Sequence, residues 1–178
     1  IQIIRPDNLL VPNAVSPEDF DFNVIKSPPS DIEDIISMQR PIIAYYGIFT
    51  KWKIDYNLLK YTVERLPQFT FLFIGPDWDN GLRDFAQHNF PNLKILKKLH
   101  YDQLPQYAKY FSVGILPLLI NERTIAISPV KLFEFFAIGI PVVATAIPEC
   151  KKYMSVLISE TDNDFVENIK KAIYLKHD

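Results

Sequence analysis

Residues Ser128–Thr145, SPVKLFEFFAIGIPVVAT, carry a helix and a strand together with the punctuation that separates them. Ser128 is a good helix cap, and Pro129 suits the first helical position, where its missing N–H has no partner to lose. The spacing predicts a helix over Ser128–Ile138. Gly139 fits the residue just past the helix end, and Ile140–Pro141 then forces the chain onward in an extended form. The run that follows, Pro141–Thr145, is apolar almost without a break. Strands buried on both faces of a parallel sheet read this way.

Three more runs share that character: Pro41–Tyr46 (PIIAYY), Phe69–Ile74 (FTFLFI) and Val113–Leu116 (VGIL). Weaker strand candidates are Leu9–Val11, Leu93–Leu96 and Val156–Ile158. Between the runs, apolar residues recur at helical spacing. Asp55–Leu66 aligns Leu58, Leu59, Thr62, Val63 and Leu66, and Asp102–Phe111 aligns Leu104, Tyr107, Ala108 and Phe111. A short helix is expected over Gly81–His88 and a longer one over Asp162–Leu175. Alternation of strand and helix predicts an α/β fold, a doubly wound parallel sheet with helices on both faces. The stretch Ser16–Gln39, with Pro17, Pro28 and Pro29, reads as a surface loop. Residues 1–40 are thus a lead-in and 41–178 the main sheet of a single domain. Ligands of such sheets sit beyond the C-terminal strand ends, so the loops after Tyr46, Ile74, Leu96, Leu116 and Thr145 matter most.

The 178 residues suffice for one domain, which buries about two-thirds of its unfolded surface. A net charge of −2 gives no basic stripe for nucleic acid. Cys150 is the only cysteine, so neither an internal disulfide nor a cysteine-based zinc site is expected, which fits a reducing, cytoplasmic setting. No apolar run approaches the roughly 20 residues that span a bilayer. The chain opens on Ile1 rather than methionine and is expected to be a piece of something longer.

Within the predicted helix, Lys131 opposes the helix dipole and Glu134 follows it on the same face in the less favourable order. One reading is an exposed ion pair of little consequence. The other is an anion at the helix start, where free backbone N–H groups and Lys131 face a diphosphate together. Glu134 would then accept hydrogen bonds from the two vicinal hydroxyls of a ribose.

At this point the sequence resembles a known family. SPVKLFEFFAIGIPVVAT is similar to the S-P-x-K-x-x-E-Y-x-A-x-G-x-P-V-V signature of GT-B glycosyltransferases of the retaining, bacterial surface-polysaccharide type, group 1 or family 4. VPNAVSPEDF resembles the segment that opens the family's C-terminal domain, with Ala14 and Ser16 departing from it. PIIAYYG and FTFLFIGP resemble its first two strands, LPQYAKYFSVGILP the helix and strand before the donor loop, and IPECKKYMSVLI its final portion. The resemblance covers nearly the whole chain and implies a Rossmann-like domain, one half of a GT-B fold.

It further implies a nucleotide-diphospho-sugar of UDP or GDP type as donor substrate, with no cofactor and no metal. Glu134 matches the family's ribose-binding glutamate; the glutamate expected eight residues earlier, on the transferred sugar, is Ala126 here, and Glu122 in the same loop has the wrong spacing. Ile127, Ser128 and Pro129 should lie near the diphosphate, with amides from Val130 and Lys131. After Gly47, Lys53 falls at the family's lysine position and Ile48 at its arginine position, with Lys51 as a substitute cation. Lys53 and Glu134 are therefore the expected catalytic residues, Lys53 meeting the charge that develops on the leaving diphosphate and Glu134 holding the ribose of the leaving nucleotide. Gly75 and the run Lys97, Lys98 and Leu99 should border the base, Lys97 standing where the family has glycine. The resemblance also implies an absent N-terminal acceptor domain, through which a peripheral contact with the inner face of the membrane would be made.

Other residues have plainer readings. Tyr45 and Tyr46 belong to an apolar strand and are expected in the core. His88, His100 and His177 are read as surface residues, and Asp77, Asp79 and Asp84 as solvated, because they lack the order of a calcium loop. No Gly-x-Gly-x-x-Gly or Walker sequence occurs, which excludes a dinucleotide dehydrogenase or an NTPase of those types. A phosphorylation receiver lacks its acidic cluster, since Tyr46 is followed by Gly47 and Ile48. The competing reading is a non-catalytic interaction module that has lost its donor, supported by Ala126, Ile48 and Lys97.

Overall fold

The structure, a computed structural model, describes residues 13–22 and 27–175. Each run of apolar residues becomes a strand: β1 (Ile42–Tyr46), β2 (Thr70–Ile74), β3 (Leu93–Leu96), β4 (Val113–Leu116), β5 (Val142–Thr145) and β6 (Val156–Ser159). They form one parallel sheet in the order β3-β2-β1-β4-β5-β6. The continuous apolar runs occupy its middle, where every residue of β1, β2, β4 and β5 is buried. Edge strand β3, LKIL, is half-buried throughout, as one covered edge requires.

Helix α2 (Tyr56–Arg65) packs against both α3 (Gly81–Ala86) and α6 (Asp162–Leu175), and α4 (Leu104–Ala108) and α5 (Val130–Ile138) meet the turn at Pro17–Phe20. Helix α2 starts where Asp55 Oδ1 accepts the Leu58 amide at 2.9 Å. Helix α5 ends at Gly139 with φ +76°, a left-handed conformation that costs glycine nothing. Phe135 of α5 lies against Gly114 of β4, where an added Cβ would come within 2.5 Å of the ring. A helix aromatic is thus seated directly on the sheet next to the cleft.

Three expectations need correction. Helix α5 begins one residue later than its sequence suggests: Pro129, with ψ 113°, is the flanking residue, and Ser128 caps nothing. Its Oγ is buried and, among the described residues, has no hydrogen-bond partner. The helix expected over Asp102–Phe111 is a 3-10 turn at Tyr101–Gln103 followed by the short α4, because Pro105 has no N–H to carry the ladder through. Ser16–Gln39 is more than a surface loop. It forms 3-10 turns at Pro17–Phe20 and Ser30–Ile32 and helix α1 (Glu33–Ser37), and it buries Phe20, Ile32 and Ile35. The Tyr107 hydroxyl donates to Asp31 at 3.0 Å and Lys94 pairs with Asp34, which fastens the segment to α4 and to β3. The strand candidate Leu9–Val11 and His177 lie outside the described residues.

Candidate functional site

Strand order reverses between β1 and β4, and the crevice this leaves at their C-terminal ends is the natural ligand site of such a sheet. It is occupied by a cleft of two lobes, of about 450 and 510 Å³. Gly47, Ile48, Trp78 and Lys131 border both lobes and mark the divide.

Backbone builds the floor. Gly47 and Gly75 end β1 and β2 at φ +138° and +147°, and a Cβ on Gly75 would stand 1.9 Å from the Gly47 carbonyl oxygen. Only glycine at position 75 lets the strand ends approach this closely, while at Gly47 it is the positive φ that favours glycine. The loop after β1 is then stitched on both sides. Phe49 donates to Pro76 at 2.9 Å and accepts from Trp78 at 3.1 Å, while Leu119 donates to the Lys53 carbonyl and Asp55 to Pro117, each at 2.9 Å. Lys53 is consequently held at a fixed place on the first lobe.

Side chains build the opposite wall. Ile127, Ser128, Pro129 and Val130, the entry to α5, line the first lobe with Lys131. Asn13 donates to the Ser128 carbonyl at 2.8 Å, tying the lead-in to this entry. The Lys131 ammonium stands 2.9 Å from Glu134 Oε2 and 4.7 Å from the centre of the Tyr46 ring. Glu134 is only 3 % exposed and borders neither lobe; it lies behind Lys131. Lys53 has no ion pair among the described residues, and burial, then the nearby Lys131 charge, push its pKa down. An anion between the two lysines would offset both causes by pairing with the ammonium.

Of the residues singled out in the sequence, Gly47, Lys53, Ile127, Ser128, Pro129, Val130 and Lys131 meet in the first lobe. Gly75, Lys98 and Leu99 line the second. Three are placed elsewhere. Lys51 turns away to Asp84 at 2.8 Å, and Lys97 faces an adjoining groove beside Arg83. Glu134 reaches the cleft only through Lys131. Tyr45 and Tyr46 are buried in the core, as expected of strand residues, while their edges touch the cleft. The acidic residues of the β2–α3 loop are less solvated than expected, because Asp79 accepts the Lys51 amide at 2.7 Å and Asp77 the Arg83 amide at 2.9 Å. Among the described residues no group of His, Cys, Asp and Glu could hold a metal ion. Sequence reasoning missed Trp52, Trp78, Thr50 and Tyr101, all of which line the cleft. A signal existed: the chain has only two tryptophans, and each follows a cleft glycine within five residues.

Residues 40–174 match the family model described as "Glycosyl transferases group 1". The chain belongs to the group 1 glycosyltransferases. A Bacillus subtilis (strain 168) relative described as "Putative teichuronic acid biosynthesis glycosyltransferase TuaH" is 31 % identical over 151 residues, covering 84 % of this chain and 37 % of the relative. The chain thus spans well under half the length of that curated protein. Among solved structures, the E. coli trehalose-6-phosphate protein bound with UDP-2-fluoro glucose superposes with TM-score 0.66 at 13 % identity, over 90 % of this chain and 42 % of that one. Anabaena Alr3699/HepE in complex with UDP and glucose gives TM-score 0.57 at 18 % identity, over 88 % and 47 %. At these identities the structures speak for the fold, the Rossmann-like sheet found in GT-B glycosyltransferases.

Proposed function

We propose that this chain is the donor-binding half of a group 1 glycosyltransferase acting in cell-surface polysaccharide synthesis, and that its cleft holds a UDP- or GDP-linked sugar. One observation carries the reading: among the described residues, the entry to α5 opens on a two-lobed cleft with Lys53 and Lys131 on its walls. The diphosphate would lie at the divide, against Lys131 and the stitched loop that presents Lys53. Base and ribose would take the lobe bordered by Gly75, Lys98 and Leu99, and the sugar the lobe bordered by Trp52 and Trp78. Charge developing on the leaving diphosphate is then met by two ammonium groups already in position. No resident cofactor is required, and the rest of the protein would bring the acceptor. Such an enzyme works where nucleotide-sugars are made, on the cytoplasmic side of the membrane.

The test is calorimetric titration of the chain with UDP and GDP at two salt concentrations. Binding of at least one is expected, weakening as salt rises because the contacts are ionic. Failure to bind either would favour an interaction module and sink the assignment.

A further inference from the structure

Tyr46 closes β1 beneath the second lobe, and its side chain is buried. Its ring packs edge-on against Phe135, 5.2 Å between centres, and lies under the Lys131 ammonium. Its hydroxyl is shut away from solvent and, among the described residues, makes no hydrogen bond of proper length and angle. A buried hydroxyl without a partner destabilises the free protein and calls for an explanation. The neighbouring acceptor is Glu134: after burial itself, the negative charge of that carboxylate and its pull on the hydroxyl proton push the phenol up, although the two do not meet in a properly formed hydrogen bond. In the free protein, however, the carboxylate is engaged by Lys131 at 2.9 Å.

Lys131 borders both lobes, whereas Glu134 borders neither. A diphosphate at the divide therefore competes with Glu134 for the same ammonium. Once Lys131 turns to phosphate, a buried carboxylate would be left bare, at high cost, unless another donor reached it. The Tyr46 hydroxyl is that donor.

We propose that Glu134 exchanges partners when a nucleoside diphosphate binds: Lys131 turns to the phosphates, and Tyr46 takes its place and holds the carboxylate toward the ribose hydroxyls. Tyr46 is then a positioning residue for the donor. This rests on the donor-site reading and adds that phosphate contact must precede ribose recognition.

Tyr46→Phe tests the exchange, because it keeps the ring and removes only the oxygen. The variant is expected to melt at the same temperature as the parent or higher, since an orphan hydroxyl has gone. Its affinity for UDP or GDP, whichever binds the parent more tightly, should fall about tenfold. The parent's preference for that nucleotide over its 2′-deoxy form should shrink toward unity. A hydroxyl that only packs would lower the melting temperature and leave the preference intact, which overturns the proposal. So would a parent protein indifferent to the 2′-hydroxyl. A parent that binds neither UDP nor GDP fails one step earlier, at the donor site itself.

Discussion

The two sides of the cleft are made by different means. Beneath it, where β1 and β2 end, Gly75 packs on the backbone of Gly47, with no room for a methyl group on Gly75. Across from them, at the entry to α5, the surface is made by long side chains: Lys131 over Tyr46, Glu134 behind it, and Lys53 reaching from the stitched loop. The floor sets a shape and tolerates nothing; the wall sets a charge and has slack. A change in the floor should therefore cost stability and binding together, whereas changes in the wall should separate the two.

The largest effect is expected from Gly75→Ala. Its Cβ would overlap the Gly47 carbonyl oxygen, and alanine disfavours φ +147° besides. A loss of about 3 kcal/mol in urea unfolding is expected, with no nucleotide binding at temperatures where the parent binds. A normal melting temperature for this variant would show that the strand ends can part and that the floor is not rigid. Glu134→Ala comes next. It leaves Lys131 without its carboxylate, but that lysine is about a quarter exposed and can turn to water. Stability should fall by only about 1–2 kcal/mol, whereas nucleotide affinity falls roughly tenfold or more. Equal losses in both would merge wall and floor into one structural unit.

How far each side could be read in the sequence follows the same division. The strands that end at Gly47 and Gly75 declare themselves because burial on both faces leaves apolar runs that no other element explains. Gly139 declares the end of α5 because its left-handed φ suits glycine. The wall is harder to read. Lys51 and Lys53 stand two residues apart in one loop, and nothing local says which faces the cleft; the answer is Asp84, 33 residues away, which captures Lys51. That Glu134 sits behind Lys131, and that Lys97 turns to another groove, are likewise facts of packing. The segment Ser16–Gln39 hid its helix because its few apolar residues stand among prolines and acids and gain their burial from distant partners such as Tyr107 and Lys94. Trp78 was overlooked because a single aromatic in a polar loop has no period.

Lys53 gives the sharpest separation of charge from shape. Among the described residues Lys131 has a carboxylate and Lys53 has none, so Lys53 supplies the net positive charge of the wall. Lys53→Met should leave the melting temperature unchanged or raise it slightly, because a desolvated cation is removed, while nucleotide affinity drops about tenfold. A melting temperature that falls with affinity would mean that the stem of Lys53, rather than its charge, is what matters.

The smallest effect is in proton traffic, and its sign is fixed. Burial and Lys131 place the Lys53 pKa in the folded protein below its ordinary 10.5. The unfolded chain therefore holds this proton where the folded chain has begun to release it. Below the folded value the penalty on stability is complete; as pH rises from there toward 10.5 the penalty is relieved. A diphosphate reverses the shift by pairing with the ammonium, so binding in alkaline buffer must take up protons. The nucleotide's own phosphates are fully ionised there, which leaves the protein as the acceptor. Titrations in two buffers of unequal ionisation enthalpy should accordingly give different binding heats for the parent. Removal of the amine in Lys53→Met should bring the two heats together. Identical heats for the parent would show that Lys53 is fully charged before the anion arrives, and the contrast between a paired and an unpaired lysine would no longer hold.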